Sequence, residues 1–133
     1  MTTAQDQQTV FAPHLTLKNV KAGMEFYIKA FGALELRRWS NSDGSVHVAE
    51  MAIEGAMFHL HEEVPASGEL SPETVNATTN LIGIFVPDPH AFVKKAVSAG
   101  GKEARPVKDY DYGYRQGTVI DPFGHHWLVE KKI

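Results

Sequence analysis

The 133-residue chain contains no cysteine. That absence removes disulfide staples, thiolate metal sites and thiol nucleophiles together. It also has no run approaching the roughly 18 apolar residues of a membrane-crossing helix, and its opening MTTAQDQQTV has no charged-then-apolar leader. An excess of one charge is missing too: 13 Lys and Arg stand against 16 Asp and Glu, a net charge of -3. Basic residues run together only in pairs such as Lys94-Lys95 and Lys131-Lys132. Neither nucleic acid nor an anionic membrane is therefore expected as a partner. No glycine-rich phosphate loop, HExxH, GxSxG or EF-hand loop occurs. What is present is ordinary for a globular protein, 43% hydrophobic and 22% charged residues. The expectation is a cytoplasmic protein forming one compact unit, or two small halves around a shared core.

The same order of elements occurs twice. Phe11–Leu17 alternates as a strand, with Leu15 and Leu17 on one face and His14 and Thr16 on the other. Asn19 caps a helix to about Phe31, with Val20, Met24, Tyr27, Ile28 and Phe31 at helical spacing and Gly32 as its stop. Three strands follow, Ala33–Trp39, Val46–Ile53 and Ala56–Glu62, joined at Asn41–Gly44 and Glu54-Gly55. Pro65–Thr79 reads as a polar linker. Asn80–Val86 is then a strand, Asp88-Pro89 opens a second helix ending at Gly100-Gly101, and Lys102–Pro106 reads as a short strand. A tyrosine-rich loop at Lys108–Arg115 precedes strands at Gln116–Ile120 and His125–Lys131. The expected boundaries are a flexible 1–10, a first βαβββ module at 11–63, a linker at 64–79 and a second module at 80–133. Each sheet alone leaves one face uncovered, so the halves pack together or with a second copy.

Near the C-terminus, Asp121-Pro122-Phe123-Gly124 is a strong turn, followed by His125 and His126. Adjacent strand residues point to opposite faces, so these two cannot chelate one ion together. A structural role is expected for both, one bracketing the turn by a hydrogen bond such as one to Asp121. His47 and Glu50, three apart on a strand, also face opposite ways, which disfavours an acid–base pair. In KDYDYGYRQG, three alternating tyrosines and Arg115 offer either flat contact surface and an anion partner for a ligand, or packing against a partner subunit. Trp39 and Trp127 either fill the core or form an aromatic wall, with the core favoured for at least one.

The repeat, FYIKAFGA at the end of the first helix and YGYRQGTVIDPFGHHW resemble the vicinal oxygen chelate superfamily. Its PhnB-like, glyoxalase/bleomycin-resistance-like branch is the nearest in pattern, and the resemblance spans about residues 11–132. It implies an α+β fold of two tandem βαβββ modules forming one domain, with sheets curled around a cavity, and a homodimer. Matching the family's strands puts its metal-ligand positions at Ala12, His59, Leu81 and Leu128, where His59 alone has a donor. The usual metal site is therefore expected to be absent. A set displaced along the same strand faces, His14, His61, Phe85 and Glu130, retains three donors, and two histidines with a carboxylate match a known zinc set.

The resulting expectation is binding of a small organic molecule in the inter-module cavity, with no cofactor. Its lining would be His14, His59, His61, Trp39, Tyr112, Tyr114, Arg115 and Trp127. The alternative is a metal-dependent lyase, isomerase or dioxygenase using zinc, nickel, manganese or iron at His14, His59 or His61, and Glu130, with His14, His61 and Glu130 as the displaced set. There Glu130, or Glu50 on the third strand, would move protons.

Overall fold

The computed structural model describes residues 6–133; residues 1–5, half of the expected flexible segment 1–10, lie outside the described residues. The first module is β1 (His14–Leu17), α1 (Val20–Phe31), β2 (Leu34–Ser40), β3 (Val46–Ile53) and β4 (Ala56–Glu62). The second is β5 (Leu81–Phe85), α3 (Pro89–Ser98), β6 (Lys102–Tyr110), β7 (Tyr114–Ile120) and β8 (His126–Lys132). Each forms a four-stranded sheet, ordered β1-β4-β3-β2 and β5-β8-β7-β6. In both, the first strand runs parallel to the last and the remaining pairs are antiparallel. This is the α+β architecture of paired βαβββ modules that the repeat implied.

Local chemistry explains the helices. Asn19 accepts the Ala22 amide at the start of α1, and Gly32 closes it in the left-handed conformation that glycine adopts without strain. Asp88 accepts the Ala91 amide at the start of α3, with Pro89 in its first turn. Lys21, Glu25 and Lys29 face solvent. Ile28, expected on the apolar face, is also exposed, whereas Phe26 is buried against Phe31 and Phe123.

Both modules contribute to one core. Leu15, Leu17, Phe58 and Leu60 from the first sheet, and Val119, Trp127 and Val129 from the second, lie beneath the helices. Phe31 of α1 stacks on Phe92 of α3 at 4.9 Å between centroids and meets Trp127 at 4.8 Å. Trp127 thus belongs to the core, while Trp39 stays partly exposed with the Arg37 guanidinium 4.4 Å from its ring.

Two expected segments differ. The polar stretch after β4 carries a 3-10 turn at Pro65–Ser67 and the short helix α2 (Pro72–Val75). Its Ser71 is fully buried and donates to Glu63, so it is anchored rather than free-running. The tyrosine-rich stretch is the tip of a hairpin, because β6 continues to Tyr110 and β7 begins at Tyr114. The solvent exposure of β6 hides the periodicity by which a longer strand would be read.

Candidate functional site

Because alternate strand residues share a face, helix packing on one side of each sheet leaves a defined set on the other. On the first sheet, Leu15, Leu17, Phe58 and Leu60 are committed to the core. His14, Thr16, His59 and His61 therefore occupy the opposite, open face. The parallel register pairs His14 with His59 and Thr16 with His61. Glu50 pairs with His59, and Arg37 with Glu50. This side of the sheet thus carries three imidazoles, a carboxylate and, at its edge, Arg37 and Trp39.

The imidazoles are in contact. His14 stacks on His59 at 4.3 Å between centroids, 16° from parallel, and its Nδ1 lies 2.9 Å from His61 Nε2. One ring nitrogen from each of the three falls within 4.8 Å of the others. Burial, followed by the neighbouring His14, holds His59 and His61 below the usual imidazole range. Both therefore favour the neutral form, whose lone pair can accept a proton, a hydrogen bond or a metal.

On the second sheet the open face carries Glu130, Gln116, Tyr114 and Phe85. Gln116 Nε2 donates to Glu130 Oε1 at 2.9 Å, and the Tyr112 hydroxyl donates to Gln116 Oε1. The other Glu130 oxygen lies over Gly83, where a Cβ would approach to 2.9 Å. Glu130 is buried, held by Gln116, and not among the clustered metal-ligating groups. The cluster therefore differs from the displaced set: His14 stands with His59 and His61 on the first sheet, and Glu130 lies on the second. β1 hydrogen-bonds to β4, which sets His14 beside His59 and His61, whereas β8 pairs with β5 and β7.

The expected cavity lining is likewise divided. Tyr112 lies between Tyr110, on which it stacks at 5.2 Å, and Tyr114, to which it is tilted at 5.8 Å, beside Gln116 on the open side. Arg115 does not join them. As the intervening residue on β7 it takes the other face, and its Nε donates to Asp109 at 2.7 Å. Glu50 is half-buried beside His59, within reach of its charge.

A cavity of about 440 Å³ lies where the two modules meet, walled by Phe11, Met57, Phe58, Ile82, Ile84 and Trp127. A second hollow of about 360 Å³ shares Phe11, Pro13, Ile82 and Gly83 with it and reaches His14 and Leu81. Apart from Trp127, the walls of the larger cavity escaped sequence reasoning. Apolar side chains carry no chemical signature, and their convergence depends on how the modules dock.

The two C-terminal histidines part company. Asp121, buried, receives the backbone amides of Phe123 and His125 on one oxygen and the Tyr27 hydroxyl and Trp127 Nε1 on the other. The His125 ring, also buried, bonds the Thr16 carbonyl of β1 at 3.0 Å and so ties the modules together. His126 takes the opposite face, paired in register with Leu81 and Ile120. His125 brackets the turn as expected; His126 does not.

The family model described as Glyoxalase/Bleomycin resistance protein/Dioxygenase superfamily matches residues 9–129. An uncharacterized protein of Mycobacterium tuberculosis strain H37Rv, Rv0887c, is 33% identical over 135 residues, covering 99% of this chain and 79% of its own. Among solved structures, TioX from Micromonospora sp. ML1 superposes with a TM-score of 0.72 at 19% identity, covering 94% of this chain and 97% of its own. The fosfomycin resistance protein FosX from Mesorhizobium loti does so with 0.66 at 10% identity, covering 96% and 94%. Such identities establish the fold alone. The metal implied by the resemblance does not fit its usual positions here: Ala12, Leu81 and Leu128 have no donor atoms, and His59 alone makes a weak site.

Proposed function

The chain belongs to the glyoxalase/bleomycin resistance protein/dioxygenase superfamily, and from that premise we propose that it binds a small organic molecule between its two modules. The cavity between them carries this reading. At about 440 Å³ it has the volume of a small-molecule site, and its walls are three aromatic rings, Phe11, Phe58 and Trp127, with aliphatic side chains between. Such walls give apolar contact with any planar ligand, while the adjoining hollow at His14 adds a polar end. Recognition needs no metal at the family's four positions.

The open sheet faces support a homodimer. Leu34 and Trp39 on the first sheet, and Leu81 and Phe85 on the second, are exposed apolar side chains on faces that no helix among the described residues covers. A second copy would bury them. The alternative of an enzyme with Glu130 as a metal ligand has less support, because Glu130 is buried, accepts a hydrogen bond from Gln116 and falls outside the histidine cluster.

Titration with 1-anilinonaphthalene-8-sulfonate, a planar apolar probe, tests the cavity. One saturable site per chain is expected, weakened about tenfold or more by Met57→Trp, which fills the cavity with a ring. Non-saturable binding, or binding indifferent to Met57→Trp, would refute the reading.

A further inference from the structure

We propose that His14, His59 and His61 form a divalent transition-metal site contained entirely within the first module, sharing only His59 with the family's four metal positions, the other three of which lack donors. The site does not depend on the cavity ligand. Three observations carry it. The three imidazoles stand on one face of two hydrogen-bonded strands, His14 on β1 opposite His59 on β4, with His61 two residues further on. Their donor nitrogens already lie within 4.8 Å of one another, the closest pair at 2.9 Å. Finally, His14 and His61 bond each other through ring nitrogens and are stacked with His59, and no carboxylate or backbone group bonds any of the three rings among the described hydrogen bonds.

The geometry sets what must happen on binding. Zinc–imidazole bonds of about 2.0–2.1 Å place tetrahedral ligand nitrogens about 3.3 Å apart. The His14–His61 pair is already that close, but the proton between its two nitrogens must leave for the far nitrogen of its own ring by a change of tautomer; His59 must approach by up to about 1.5 Å, a movement within reach of side-chain rotation. An imidazole binds a metal in its own plane, so the near-parallel rings must also turn out of their stack. Because His14 is exposed and the others half-buried, that turning meets little packing. Three neutral imidazoles suit zinc, nickel, cobalt or copper better than magnesium or calcium. With three protein ligands the fourth position stays open toward the uncovered face. Glu50 is positioned beside His59 to offset part of the ion's charge.

The test is titration of untagged protein with cobalt(II), followed by visible absorption, and with zinc(II) by calorimetry. One ion per chain is expected. Single replacements His14→Ala, His59→Ala and His61→Ala should each weaken binding by about 100-fold, whereas His126→Ala and Glu130→Gln leave it unchanged. His14→Ala decides the matter alone if a β4 variant misfolds, because His14 is exposed. Sub-stoichiometric binding, binding that survives His14→Ala, or binding lost in Glu130→Gln would overturn the proposal. Failure here leaves the probe titration of the cavity untouched.

Discussion

Asp121 shows how much a single residue can organise. Its carboxylate satisfies four donors, two from the turn and two from the core rings Tyr27 and Trp127. The DPFG turn is thereby fastened to helix α1 and strand β8 at once. The sequence marked the turn but not this hub, since nothing in the spacing brings Tyr27 to a residue 94 positions away. Burial, and then the neighbouring Asp121 charge, push the Tyr27 phenol well above its ordinary value. In the unfolded chain that phenol ionises near pH ~10. The unfolded state thus loses its proton first, and stability falls as pH rises past about 10. Tyr27→Phe should cost about 1–2 kcal/mol at neutral pH by removing the hydrogen bond. It should also flatten the alkaline loss relative to the unsubstituted protein. Urea midpoints compared at about pH 8 and pH 10.5 check both effects.

Among the elements, the hairpin of β6 and β7 depends on close approach. The pairing shifts register between Arg105 and Lys108, and there Val107 presses on Gly117, where a Cβ would come within 3.0 Å of Val107 backbone atoms. Backbone cannot swing aside as a flexible side chain does. Gly117→Ala is therefore expected to destabilise by about 1–3 kcal/mol, read as a lowered urea midpoint. Gly83→Ala meets only the movable carboxylate end of Glu130 and should cost less. The helices were legible in the sequence because caps and periodicity are local signals: Asn19, Gly32, Asp88 and Pro89 each stand at a helix end as expected. The hairpin was not, because its outer strand is exposed along nearly its whole length and shows no alternation.

For the whole molecule, two modules joined through one core leave two sheets with an uncovered face. Exposed Leu34, Trp39, Leu81 and Phe85 set the expectation of self-association. Sedimentation of the protein should give a dimer, and Phe85→Glu combined with Leu34→Glu should shift it toward monomer, since each buries a charge in an apolar contact. A monomer before substitution would remove the dimer and leave the cavity as the binding feature of the single chain.

The sequence by itself determined the helix ends and the strand faces, because these follow from spacing and residue type along a few residues; the order of those elements showed the repeat, and the lack of donors at the usual metal positions came from the family resemblance. It also placed His14, His59 and His61 among the polar residues of a sheet. Only the tertiary structure decided that these three stand together while Glu130 stands apart, and that Arg115 turns away from the tyrosines. Strand pairing and register bring together residues 45 or more positions apart, and the pattern within a strand records which face a residue takes but not which strand lies beside it.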